Sequence, residues 1–409
     1  MSGALEGVRV VDLSHVLAAP TCSMYLADLG AEVLHIEPNN GDDSREFGPY
    51  VGNERDKNKS AYFISLNRNK KSIVLNLKDK RGKQILRDLI KVSDVVLENF
   101  RPTTMKKLKF DWPDIQKINP RVVYCSICGF GHDCLPQYSE RPAYDMVAQA
   151  YSGIMSITGP ENGVPCRVGS SIGDIISGLQ AAIGILAALI YRNESGRGQY
   201  LDCSMVDALF SVLENAVARH TVTKEIPGPL GGAHASVTPF QGFKTKDGSW
   251  FVAAIGNDKL WKKYCKIIDR PDLTNHPDYA TNLLRTENRQ ELIPVLSEEM
   301  VKKTMKEWVA LFEEAQLPYS PINNIKDICE DPNINYRNMM MEIDQPGIGM
   351  MRIAGSPIKL SETPGTVYAP APALGQHSTW MLKEILGYSS EEIDDFKKEL
   401  VISDGTDGA

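Results

Sequence analysis

The chain has 409 residues, 42% hydrophobic and 24% charged, which is enough apolar material for a sizeable core and excludes a disordered or low-complexity protein. Its 45 Lys and Arg against 52 Asp and Glu leave a net charge of −7, so there is no overall basic field to hold DNA or RNA, and any anion site must be local. No uninterrupted apolar run reaches the ~18 residues of a membrane span, and the eight scattered cysteines read as thiols rather than a disulfide framework.

The start, MSGALEGVRVVDLSH, has neither the apolar stretch of a signal peptide nor the Arg and Ser bias of a transit peptide. The expected location is the cytoplasm, or the mitochondrial matrix if a transit peptide precedes this sequence. Val8, Val10 and Val11 form a β-branched run, followed by a small-residue loop (Ala18, Ala19, Pro20), a helical stretch through Met24 to Leu26, and a second run from Val33 to Ile36 ending at Glu37. That is a β-α-β unit. SIVLNL (72–77), a helix over 82–93, DVVLENF (94–100) and RVVYCSICGFG (121–131) continue the alternation, which predicts a parallel sheet with helices on both faces.

Residues 172–193 are apolar nearly all round, with small residues at helical spacing from Gly178 to Ala188, and predict a long packed helix ended by Gly196. A strand, QYLDCS, and a helix over 205–220 follow. The Gly- and Pro-rich KEIPGPLGGAHASVTPFQG marks a boundary or loop. Beyond it, FKTKDGSWFVAAI predicts a hairpin about Asp247-Gly248, and helices are expected over 258–268 and 285–312. The Pro-rich stretch 361–378 reads as linker, and a closing helix pair begins near Thr379 and at the capping box Ser389 to Glu392. The expected class is α/β, with a Rossmann-like large domain over 1–224, a smaller α+β domain over 225–330, and a linker returning to the large domain over 331–409.

Several residue groups invite chemistry. Glu37 after the second strand suits a ribose, but the turn SHVLAAPTC lacks the GxGxxG through which a pyrophosphate approaches the backbone, so a dinucleotide site is not expected. Cys125, Cys128, His132 and Cys134 resemble a zinc cluster, yet they close an apolar strand without a second CxxC, so packed thiols and no metal are expected. His15 is read as a scaffold residue. The basic run from Arg55 to Lys83, near the strand ends where ligands of such sheets bind, fits either a solvated face or a phosphate-rich small ligand. Asp174 stands at the start of the long helix among Gly and Ser. From the residues alone it is either an N-cap or a carboxylate nucleophile toward an activated acyl group.

The motifs LEGVRVVDLSHVLAAP, LADLGAEVLHIEP, NRNKKSIVLNLK, VLENFRP, YDMVAQAYSG, SSIGDIISG, GRGQYLDCSMVDA, FKTKDG and GQHSTWMLKEILGYSSEEI, in this order over nearly the whole chain, resemble the class III CoA-transferase family. The resemblance implies that Asp174 is the catalytic aspartate, passing through an aspartyl mixed anhydride and an aspartyl-CoA thioester. It implies that Tyr144 and Asp145 support the thioester and that Leu17, Leu75, Lys78, Asn99, Phe100 and Lys107 bind CoA. The glycine loop Gly231-Gly232-Ala233-His234 corresponds to one that covers the aspartyl intermediates. CoA thioesters are then substrates rather than resident cofactors, and the partner is a second copy in an interlocked ring homodimer.

Two departures bear on substrate. Leu17 and Pro38 stand where the oxalate-specific members carry glutamine and arginine, which argues against oxalate; Ala143-Tyr144-Asp145 replaces the Gly-His-Asp of the related racemases, which removes their proton-abstracting histidine. ITGPENGVPCRVG, GGAHASVTPFQGFKTKDG and PYSPINNIKD are similar to the branch that moves CoA from succinyl-CoA to a dicarboxylate such as glutarate. Arg167 or Arg45 is the expected anchor for the distal carboxylate.

Overall fold

The β-branched runs pair as one sheet. In the computed structural model, which describes residues 3–53 and 55–405, the strands are β1 (Arg9–Asp12), β2 (Glu32–Glu37), β3 (Lys70–Leu75), β4 (Val95–Glu98), β5 (Val123–Cys128) and β6 (Tyr200–Ser204). They lie in the order β3, β2, β1, β4, β5, β6, all parallel, with a short antiparallel edge strand, Ile402–Ser403, beside β3. This is a mixed α/β fold around a parallel-dominant sheet. Val10, Val11, Ile73, Val74, Val95, Val96 and Val123 are fully buried, as strands covered on both faces require. Strand order reverses between β1 and β4, so the carboxyl ends of those strands border the crevice where sheets of this kind take their ligands.

Helix α1 (Ala18–Asp28) and helix α3 (Ile172–Ser195) pack on one face, with α2 (Asp145–Ser152) and α4 (Met205–Ser211) beside them. Their approach depends on Gly178: a Cβ there would lie 2.4 Å from the Ala18 carbonyl oxygen, so only glycine lets the two backbones meet. By length and composition α3 is apolar enough to cross a membrane, which corrects the expectation that no such segment exists. Gln180 interrupts the apolar run in sequence but leaves its average high, and Gly178, Ala181, Ala182, Ile185 and Ala188 are buried in the core.

The chain divides into two compact units, one of Met1–Ile154, Val168–Glu214 and Pro332–Ala409, the other of Met155–Arg167 and Asn215–Asp331. The second holds a three-stranded antiparallel sheet, Phe240–Lys244, Trp250–Ala254 and Tyr319–Pro321, with helices Asp258–Ile267, Arg289–Met300 and Met305–Ala315 over a core of Phe251, Trp261, Trp308 and Phe312. Gly248 takes the positive φ (78°) that the Asp247-Gly248 turn requires.

Several elements depart from expectation. The helix read over 205–220 is two, α4 and Glu214–Thr223, so nearly all of the latter falls in the second unit rather than ending the first at 224. The helix read over 285–312 is broken at Asn288 and again before the capping box of Thr304 and Glu307. Within the supposed linker region a hairpin, Met340–Gln345 with Gly349–Ala354, packs Ile353 against Phe63 and Ile64.

Candidate active site

Asp174 is the third residue of α3, one turn inside Ser171. It is therefore not the N-cap. Its carboxylate is half-buried and accepts no hydrogen bond from any described residue. The helix dipole favours its ionised form, but burial outweighs this, and the nearby Asp145 charge adds to it, so the group is pushed up to about 7. An unpaired carboxylate that titrates near neutrality is an expensive feature that the packing of α3 does not need.

Asp145 supplies the capping that Ser171 does not. It opens α2, is buried, and accepts the Gly173 N–H at 2.9 Å on one oxygen and the Gln149 amide at 2.8 Å on the other. The absence of a side chain at Gly173 lets that carboxylate reach the helix end. Gln149 also accepts the Val168 N–H at 2.9 Å, which braces the segment leading to Asp174. Tyr144, just before α2, is 76% exposed, so the expected Tyr-acid pair divides into a buried anchor and a solvent-facing ring.

Sequence reasoning missed three residues. Tyr62 feels the charges of Asp174, Asp42 and Asp145 and, chiefly through burial, stays protonated up to about 12. Nothing in its surroundings in sequence marks it. Gln149 was findable, because four residues separate it from Asp145 on one helix face. Glu98, at the end of β4, is raised to about 7 by burial while its oxygens accept the Tyr124 hydroxyl and the Phe100 N–H.

A cleft of about 400 Å³ opens at the carboxyl ends of β1 to β4, lined by His15, Pro38, Leu75, Lys78 and Phe100 among others. Three of the six residues expected to bind CoA, Leu75, Lys78 and Phe100, share this wall. The Asn99 amide instead clasps the His15 backbone, Leu17 is buried at the start of α1, and Lys107 is exposed on the helix Thr103–Leu108, where the neighbouring Leu108 lines the cleft. His15 sits edge-on to Phe100 at 4.6 Å, and burial lowers its pKa, so the ring facing the cleft is neutral.

Arg45 is not available to a substrate, which corrects that expectation. It is fully buried, bonds Glu37 through two nitrogens at 2.7 and 2.8 Å, and stacks its guanidinium over Phe63. Glu37, held also by Ser72 and the Asp42 N–H, is likewise unavailable to a ribose. The zinc-like set does not assemble as CxxC spacing suggests. Cys125 is in the core, and the group that converges is Cys128, His132 and Asp202, in which the His132 Nε2 is 2.6 Å from the Ser126 hydroxyl and one Asp202 oxygen accepts the His132 and Asp133 amides.

The glycine loop and Arg167 belong to the second unit. Gly231, at φ 62°, donates its N–H to Gly159, His234 donates its own to Phe240, and Arg289 holds the His234 and Ala235 carbonyls at 3.2 and 2.9 Å. Gly232, Trp250 and Arg289 line a cavity of about 790 Å³ there. Arg167 is exposed.

The profile of CoA-transferase family III matches residues 5–378. The human succinyl-CoA:glutarate CoA-transferase is 41% identical over 95% of this chain and 87% of its own, and the Haloarcula marismortui succinyl-CoA:mesaconate CoA-transferase is 37% identical over 93% and 96%. The crystal structure of a CAIB/BAIF family protein from Brucella suis superposes with a TM-score of 0.82 at 33% identity, covering 94% of this chain and 100% of that one. The chain therefore belongs to CoA-transferase family III and is a class III CoA-transferase.

Proposed function

We propose that this enzyme moves CoA from succinyl-CoA to a dicarboxylate such as glutarate through covalent intermediates on Asp174. The observation that carries the reading is the unpaired, half-buried Asp174 carboxylate with its pKa near 7, together with relatives named for succinyl-CoA and a dicarboxylic acid. An Asp174 oxygen attacks the thioester carbonyl, the C–S bond breaks, and CoA leaves as thiolate beside an aspartyl-succinyl anhydride. The thiolate attacks the aspartyl carbonyl, releases succinate and leaves an aspartyl-CoA thioester. The acceptor carboxylate attacks that thioester, and the thiolate then takes the acceptor's acyl group and frees Asp174. Each step exchanges one activated carboxyl for another, so the sequence is nearly thermoneutral provided that water stays out.

Within this reading the cleft at the ends of β1 to β4 holds CoA, with Lys78 against phosphate, and Arg167 holds the distal carboxylate of the acceptor as a bidentate pair. The enzyme works in the cytoplasm as a homodimer of interlocked subunits, in which the glycine loop covers the intermediates. Ile183 and Ile190 of α3, 67% and 66% exposed, form the apolar stripe that a second copy would cover.

Succinyl-CoA incubated with glutarate, mesaconate, malate and acetate, and read by mass spectrometry, identifies the acceptor. Hydroxylamine trapping with peptide mapping should place the adduct on Asp174, and an Asp174→Asn enzyme that turns over at the native rate would overturn the mechanism. Arg167→Met should raise KM for the diacid about tenfold or more while sparing acetate; equal losses for both acids remove Arg167 from that role.

A further inference from the structure

Between β1 and α1 the chain passes through Val16 at φ 65°. A β-branched residue is strained in the left-handed region, and such a conformation persists only where surrounding contacts over-determine it. Two side chains from elsewhere in the sheet do so. Asn99, at the end of β4, accepts the His15 N–H at 2.8 Å and donates to the His15 carbonyl at 2.9 Å. Asp42, after β2, accepts the Val16 N–H on both of its oxygens, each at 3.2 Å. Both anchors are thus taken by backbone groups of two successive residues, and the ring of one of these, His15, forms part of the cleft wall.

Asp42 is itself fixed. Its Oδ1 accepts both the Ser44 N–H and the Ser44 hydroxyl, at 2.7 and 2.6 Å, and its own N–H donates to Glu37 at 2.9 Å. Behind it, the fully buried His35 ring lies 3.5 Å from Asp42 and 3.3 Å from Asp12, contacts too long for strong hydrogen bonds but ionic in character. Burial would keep that imidazole neutral; the two carboxylates hold it protonated up to about 9.

We propose that Asp42 and Asn99 are positioning residues: by holding Val16 in its left-handed conformation they set the His15–Leu17 turn against the cleft and so determine affinity for the acyl-CoA. The proposal rests on the reading of that cleft as the CoA site. It reassigns Asn99 from a ligand contact to a clasp on the protein backbone, and it gives Asp42, which no sequence motif marks, a part in binding.

The test is steady-state kinetics of the full-length enzyme. Asn99→Ala and Asp42→Asn should each raise KM for succinyl-CoA about tenfold, as the loss of one well-placed anchor implies, with KM for the acceptor within about twofold of native. Adding Val16→Gly should restore the donor KM to within about threefold, because glycine adopts positive φ without strain. A merely structural role would not be rescued in this way. Should Asp42→Asn not fold, the half-buried Asn99 pair decides alone. Unchanged donor KM in the anchor variants, or no rescue by glycine, overturns the proposal. Lys78→Ala serves as the control for the cleft: if it raises donor KM while the anchor variants do not, only the positioning idea fails, and if it leaves donor KM unchanged the cleft reading fails and takes this proposal with it.

Discussion

Asp174→Asn should abolish turnover and stabilise the protein, and the two effects share one cause. The carboxyl titrates at 3.8 in its ordinary state and near 7 in the fold, pushed up first by burial and then by Asp145. Between those values the native state binds the proton more tightly than the unfolded chain does, so its contribution to stability is lost as pH rises from about 4 to about 7. The 3.2 pH units between 3.8 and 7 correspond to about 4 kcal/mol at most. Partial access to water screens this, so about 1–2 kcal/mol is expected. Asparagine keeps the shape without the charge. Urea unfolding of native and Asp174→Asn proteins should therefore differ in favour of the variant at pH 8, differ less at pH 6, and coincide near pH 4. A variant no more stable than native at pH 8 would show that the site does not penalise the charge, and the argument for a poised nucleophile would fail with it.

The same titration governs rate: kcat/KM should rise tenfold per pH unit below about 7, so that near pH 6 only about a tenth of the enzyme carries the nucleophile. Glu98 also titrates near 7, and Asp145→Asn separates the two. Because burial is the larger cause for Asp174, removing the Asp145 charge should lower the inflection by less than half of those 3.2 units, about 1.6, whereas an inflection owed to Glu98 would not move. Gly178→Ala should destabilise by about 1–3 kcal/mol in urea titration, since the new methyl meets the Ala18 carbonyl; without that clash, alanine in mid-helix would stabilise by up to about 1 kcal/mol, so the sign decides.

The sheet was legible in sequence because buried parallel strands write themselves as β-branched runs, and α3 because its small residues repeat at helical spacing. The helix breaks at Val212–Leu213 and Asn288 were not, since Glu214 takes a positive φ of 31° and the Asn288 amide bonds the Asp278 and Leu284 carbonyls, choices that no glycine or proline at those positions announces. The position of Asp174 could be read, but its state could not: whether it caps the helix depends on Asp145, 29 residues earlier in the chain, reaching the Gly173 N–H. Likewise Asp42 and Asn99 are ordinary polar residues until the sheet order brings the ends of β2 and β4 to either side of the turn after β1.

Arg45 shows the cost of reading a charge without its partner. Its guanidinium and Glu37 are both fully buried, so neither can leave the pair without exposing the other to a low-dielectric interior. Arg45→Met should therefore lower stability by about 3–5 kcal/mol, the cost of an uncompensated buried carboxylate, while leaving the ratio of KM for a diacid to that for a monoacid unchanged. Adding Glu37→Gln should recover part of the loss, because the uncharged amide can accept the Asp42 N–H on its oxygen and donate its NH2 to the Ser72 hydroxyl. Unfolding and acceptor kinetics of the single and double variants distinguish the roles. If Arg45→Met instead leaves stability intact and raises KM for the diacid alone, the guanidinium must leave Glu37 to meet the substrate, and the buried pair would be a resting state rather than a support of the cleft floor.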